Sequence, residues 1–355
     1  MEHNINSYIE EIKRSEGEAF TSDLKKIENE YLAQQTENSG LAIKILSIFG
    51  GILSVIAFIV ALFIAGLYDS EIGLIITGIL LIAASLWINI KNTILFVDTI
   101  CISAYLTGLF LIAFGLDNLD VDENTITIIF QLLAVITVFI TFRYLLTFIS
   151  VLVINAGFLF LIINTRSYQM IHFYNAVILI AVTFLILKEA RILSDFKLFS
   201  KIYNSVRTAL IISLISGLFF EGKKGIFYFY FNHWVLSLVT IPLSLFIVSK
   251  IIKILNINSL KYKIVIYVLC ILILIATIPS PAITSSLLII LLGFMVNYKT
   301  GMTIGILSFI YFIAQYYYDL QYTLLTKSVL MFVSGLVFLL FYYIIHKILD
   351  QNEKV

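Results

Sequence analysis

Long apolar runs separated by short polar gaps occupy the chain from residue 45 to residue 345. None of the runs alternates with the two-residue period of a barrel strand, and all exceed the 10 or so residues such a strand needs. A hydrocarbon core about 30 Å thick takes about 20 helical residues at about 1.5 Å each. The runs predict twelve crossings, at 45–68, 72–90, 92–115, 124–142, 144–163, 170–187, 203–220, 233–252, 262–278, 282–298, 302–318 and 322–345. Lipid offers backbone amides no water to bond, so each crossing must be a helix. Pro279-Ser280-Pro281 predicts a tight turn that divides the uncharged stretch 264–298 into two crossings, because proline lacks the amide donor and restricts the residue before it. Ala57, Ala61 and Ala65 in the first run, and Gly301 and Gly305 in the eleventh, predict faces where helices approach closely. The expected fold class is all-α, a polytopic helical integral membrane protein.

Residues 1–43 are polar and precede the first run. Ile5, Ile9 and Ile12, then Leu24, Ile27 and Tyr31, recur at helical spacing, with Gly17 and Thr21-Ser22-Asp23 between them, which predicts a helical hairpin. The first run is too long for a signal-peptide core, so it reads as an uncleaved anchor. The expected organisation is a cytoplasmic hairpin at 1–43, a transmembrane domain at 44–347 and a short cytoplasmic tail at 348–355.

Charge supplies the orientation. Of 23 Lys and Arg residues, 19 fall in alternate gaps, among them Lys91, Arg143, Lys188, Arg191, Lys250 and Lys299, and only Arg166, Lys223, Lys224 and Lys327 fall in the others. Basic loops stay in the cytoplasm, so both termini are expected there, in the inner membrane of a bacterium. Composition agrees: the 355 residues are 61% hydrophobic and 13% charged, too apolar for a soluble domain, and the lipid bilayer is the expected surrounding. Residues 1–43 carry a net charge of −5, which argues against binding to anionic lipid and equally against nucleic acid. Cys101 and Cys270 stand singly in apolar runs and read as packing residues.

Candidate chemistry is sparse. Asp98 lies about two turns into the third crossing and Lys327 about two turns into the twelfth, and an ionisable group at that depth is costly unless paired or hydrated. If the two pair, they must bridge a vertical offset of about 10 Å. Gln131, Asn155, Asn175 and Gln315 are amides within crossings, for which bonding across helices is the plain reading. His172 and His233 fall near the outer ends of their helices and read as interfacial. No phosphate loop, His-Glu-x-x-His or Gly-x-Ser-x-Gly sequence occurs, so no catalytic residue, cofactor or metal is expected.

One segment is more distinctive. Tyr316-Tyr317-Tyr318-Asp319-Leu320-Gln321-Tyr322-Thr323-Leu324-Leu325-Thr326-Lys327-Ser328, followed by Gly335-Leu336-Val337-Phe338-Leu339-Leu340, resembles the terminal signature of the bacterial DUF4401 membrane family. The remaining likeness is one of layout, including Ala65-Gly66-Leu67-Tyr68-Asp69-Ser70 after the first crossing. The family has no assigned activity. The resemblance does imply a partner, a second membrane protein with a Gly-Asp-Tyr-x-x-Leu-x-Tyr motif. Physically, the tyrosines suit the outer interface. Asp319, Gln321, Lys327 and Ser328 there form either a polar site or a lock between two helices.

Two functional expectations follow. The first is a non-enzymatic subunit of a membrane assembly, favoured by the scarcity of ionisable residues in the crossings. The second is a transporter or channel for a small uncharged or lipid-like solute, with Asp98 responding to protons.

Overall fold

A computed structural model describes residues 70–91, 95–195, 197–222, 235–255, 259–320 and 322–352, together with 50, 53, 56–62, 64, 66 and 257. The expected N-terminal hairpin, most of the first crossing and Gln321 lie outside these residues. Every regular element among the described residues is a helix. In chain order they are α1 (Glu71–Lys91), α2 (Leu95–Asn118), α3 (Glu123–Ile140), α4 (Tyr144–Asn164), α5 (Met170–Leu187), α6 (Glu189–Asp195), α7 (Lys197–Gly222), α8 (Ser237–Ile254), α9 (Leu260–Ala276), α10 (Pro281–Met295), α11 (Lys299–Asp319) and α12 (Leu324–Asn352). Seven of them, α1 to α5, α7 and α8, are long and apolar enough to cross a membrane.

The chain divides into two compact units at Asp120. In the first, α1 and α2 form an antiparallel pair whose closest point is a glycine crossing. A Cβ on Gly78 would stand 2.7 Å from the Gly108 carbonyl oxygen, and one on Gly108 would stand 2.7 Å from the Gly78 carbonyl. Further along the pair, a Cβ on Gly115 would meet Ile75 at 2.7 Å. Lipid tails are as apolar as leucine, so helices associate through close packing, and glycine permits the closest. Ser85 adds a hydrogen bond to the Cys101 carbonyl at 2.7 Å. Of the expected alanine repeat, Ala57 and Ala61 are exposed and Ala65 lies outside the described residues.

In the second unit, Asp122 caps α3 by accepting the Asn124 and Thr125 amides at 3.1 and 3.3 Å. Helix α4 closes with Arg166 at φ 55°, followed by a Ser167 to Ile162 backbone bond, and α10 closes with Asn297 at φ 53° and a Tyr298 to Gly293 bond. Both are left-handed stops that satisfy the last free carbonyls. The short α10 occupies the centre. Ten of its 15 residues are buried, and it packs with Leu179, Val182, Leu214, Leu218, Ile247 and Phe312 of α5, α7, α8 and α11. At about 22 Å it is shorter than a lipid core, which a helix shielded by its neighbours need not match. Gly305, of the expected small-residue pair, admits Ile289 and Ile290 of α10 (a Cβ there would lie 2.9 Å from Ile290), while Gly301 lies under the Tyr298 ring.

At one end of this unit a cation holds four elements together. Arg207 of α7 donates to Glu189 of α6 at 3.0 Å and to Asn204 at 2.8 Å, and its guanidinium lies 3.7 Å from the Tyr298 ring centroid and 4.9 Å from that of Tyr203. Tyr203 reaches back to the Leu185 carbonyl of α5 at 3.0 Å, and Thr208 bonds the Tyr298 hydroxyl at 2.7 Å. The region between the sixth and seventh expected crossings is therefore largely helical, with α6 and the first turns of α7 built around Arg207.

Candidate functional site: a buried acid at the opposite end

Glu221 is the next-to-last residue of α7 and is 1% exposed. Because α7 continues past the apolar run that ends at Phe220, its last turn carries this carboxylate into the protein instead of into a loop. Two residues of the first turns of α5 meet it. His172 Nδ1 lies 2.9 Å from one carboxylate oxygen, and the Asn175 amide donates to the other at 2.6 Å. His172 is 3% exposed and Asn175 is fully buried. Gly217, one turn before Glu221, makes room: a Cβ there would collide with the Asn175 side chain and the Tyr174 ring. Tyr174 itself donates to Asn155 of α4 at 3.3 Å.

A small cleft opens beside Glu221, between α7, the start of α10 and the end of α11. It is lined by Pro279, Ser280, Gln315, Tyr316 and Asp319 among others, and about 30 Å³ of it is open to water centres, room for about two molecules. Gln315 projects toward Gly222, whose added Cβ would lie 3.5 Å from its amide nitrogen. Both amide atoms of Gln315 are buried with no hydrogen-bond partner among the described residues. Among the described residues, no Lys or Arg lines the cleft. Two carboxylates and an unsatisfied amide thus line a water-sized space at a single end of the helices, with the His172 imidazole bonded to one of the carboxylates. Such an arrangement can hold and exchange a proton, or accept a small group that donates hydrogen bonds. Among the described residues, no group of three or more His, Cys, Asp or Glu is placed to hold a metal ion.

The residues singled out from the sequence have other surroundings. Asp98 lies in the first turn of α2, half-buried, and accepts a bond from Asn89 of α1 at 2.9 Å, which ties the two ends of the helical pair together. Lys327 is 9% exposed, the one buried side chain among those described on α12, and donates to the Tyr318 carbonyl at 3.3 Å with the Tyr317 ring centroid 5.2 Å away. Asp319, which the turn after α11 was expected to bring over Lys327, lines the cleft, and no ion pair joins the two among the described residues. Ser328 is exposed and bonds back to the Leu324 carbonyl at 3.0 Å. Of the amides, Gln131 bridges to the Ile154 carbonyl of α4 at 3.1 Å, as the plain reading expects. Asn175 likewise bonds across helices, to Glu221 of α7, while Gln315 lines the cleft.

Residues 40–348 match the family described as a domain of unknown function, DUF4401. The chain belongs to the DUF4401 family. The match covers every described helix of this DUF4401 protein from α1 to α11 and nearly all of α12, so the cleft, the Arg207 cluster and the glycine crossing all lie within the family's domain. No curated protein and no solved structure matches the chain.

Proposed function

We propose that this DUF4401 protein is a proton-responsive carrier or channel in the bacterial inner membrane. It crosses twelve times with both termini in the cytoplasm, and the Glu221 cleft faces outward. The carrying observation is the His172–Glu221 contact at 2.9 Å, both side chains nearly free of solvent. A buried ionisable pair inside a membrane protein is costly to keep and is a functional site by default. It also removes the main argument for a passive subunit, the scarcity of ionisable groups in the spans. Glu221, not Asp98, is then the proton-linked acid. Among the described residues, His172 and Asn175 of α5 bond it, and Asp319 and Tyr316 of α11 and Pro281 and Ala282 of α10 line the same cleft. A proton on Glu221 breaks or reverses the hydrogen bond between them and leaves Asn175 holding a neutral carboxyl, whereas a proton on His172 keeps the bond and makes it an ion pair. Packing of α5 against α7 depends on that charge.

The test uses liposomes containing the full-length protein, native lipid extract and an internal pH dye. After external acidification the wild type passes protons faster than empty liposomes, Asp98→Asn retains the rate and Glu221→Gln loses it. Equal rates for wild type, Glu221→Gln and empty liposomes would overturn the proposal.

A second reading, a non-enzymatic subunit of a membrane assembly, draws on α12. Apart from Lys327 its described side chains are all exposed, among them Phe332, Leu336, Leu339 and Tyr343, which offers a partner an apolar helix. A second membrane protein that copurifies in equal amount and is lost on changing Lys327 would favour this reading.

A further inference from the structure

The helices of the second unit that surround the cleft fall into two groups. In α3 to α7, helices α4, α5 and α6 all pack on α7; in α8 to α11, helix α10 packs on both α8 and α11. Hydrogen bonds tie the first group together: Gln131 to Ile154, Tyr174 to Asn155, His172 and Asn175 to Glu221, and Arg207 to Glu189. In the second, Ser237 at the start of α8 donates to the Ile278 carbonyl at 2.9 Å and Thr284 of α10 donates to Thr277 at 2.8 Å. The close approach of α10 and α11 at Gly305 continues at Gly293, whose added Cβ would lie 3.0 Å from the Met302 amide nitrogen. Between the groups, the two ends differ. Near Glu221, α7 stands apart from the start of α10 and the end of α11 around the cleft. The middle is apolar, built from Leu214 and Leu218 of α7, Leu288 and Ile289 of α10 and Phe312 of α11. At the far end, about 21 Å along α7 from Glu221 at about 1.5 Å per residue, polar contacts cross from one group to the other. Thr208 bonds the Tyr298 hydroxyl at 2.7 Å, and the Arg207 guanidinium lies 3.7 Å from the Tyr298 ring centroid.

We infer that Tyr298 is a latch: it holds the two groups together at the cytoplasmic end while the cleft is open at the other, and its release lets α8 to α11 tilt about the apolar middle and close the cleft. The inference rests on the carrier reading and supplies its gate. A carrier exposes its site to one side at a time, and rigid rocking of one helix group on another achieves this. Both parts of the latch are firmly mounted. Tyr298 joins α10 to α11, fixed by its amide bond to the Gly293 carbonyl at 2.8 Å and by Gly301, which leaves room for the ring. Arg207 is buried and is oriented by Glu189 and Asn204 of its own group, so it presents one face of the guanidinium to that ring. The chemistry of the interface suits a pivot. Apolar contact has no preferred direction and tolerates a small tilt, whereas a hydrogen bond and a cation over a ring each hold one geometry.

Spin-label distances in the full-length protein in nanodiscs, with Cys101 and Cys270 replaced by alanine, read the two ends separately. Lys201→Cys with Thr300→Cys spans the latch end and Ser167→Cys with Tyr318→Cys the cleft end, all at exposed positions. Tyr298→Leu, which removes ring and hydroxyl, is expected to lengthen the latch-end distance by several ångströms and to shorten the cleft-end distance. Tyr298→Phe keeps the ring over Arg207 and loses only the Thr208 bond, and is expected to populate both arrangements. Melting temperatures are read on the same samples. Unchanged distances in Tyr298→Leu, whatever its melting temperature, would overturn the inference and leave Tyr298 a packing residue. Lengthening at both ends would overturn it too, because that is loosening and not tilting. If the distances shift as expected while Glu221-dependent proton flux is absent, the latch stands and the carrier reading falls. Flux with unmoved distances removes the latch alone.

Discussion

Glu221 illustrates how much a single side chain can demand of its neighbours. Its two oxygens are both engaged, by His172 and Asn175, beside a cleft of about two-water size. Removing the carboxylate leaves two buried donors without an acceptor, so Glu221→Ala is expected to destabilise the fold by about 3 kcal/mol. Glu221→Gln keeps the shape and one acceptor and should melt within a few degrees of wild type. Thermal unfolding in mild detergent separates the two. Along the sequence, His172 is visible as a histidine near a helix end and Asn175 and Gln315 as amides within apolar runs. Their common partner is not, because Glu221 falls just beyond an apolar run and reads there as the first residue of a loop. Side-chain partners far apart in the chain leave no local pattern. Asp98, by contrast, attracts attention through its position within an apolar run, although its bond to Asn89 gives it a plain structural role.

Apolar runs and helices are bounded by different physics, which explains where element boundaries were readable. The run at 170–187 and α5 coincide, and 72–90 differs from α1 by one residue at each end. Helix α7 extends six residues before and two beyond its expected crossing at 203–220, because backbone hydrogen bonding continues through charged residues that end a run. Those extensions contain Lys197, Lys201 and Glu221, so the added turns supply chemistry that hydropathy alone conceals. Arg207, inside the run, is held by two tyrosine rings, a carboxylate and an amide in a planar fork that lysine cannot reproduce. Arg207→Lys is expected to cost about 2 kcal/mol, read as a lower melting temperature. The glycine crossing of α1 and α2 leaves no space for any larger residue. Gly78→Val should destabilise that pair by about 1–3 kcal/mol, measured as faster proteolysis between residues 70 and 120.

Across the whole molecule, the account joins a helical membrane domain of the DUF4401 family to one polar end built from α5, α7, α10 and α11. The even number of crossings expected from the sequence implies that reporters fused after residue 40 and after residue 350 report the same side, and opposite sides would contradict the twelve-span topology. The functional claim rests on Glu221 being required for proton passage. The most direct measurement is proton flux into liposomes containing the full-length protein, read with an internal dye after external acidification. The account predicts flux above that of empty liposomes in the wild type and in Asp98→Asn, and its loss in Glu221→Gln. Equal flux in wild type, Glu221→Gln and empty liposomes would contradict it.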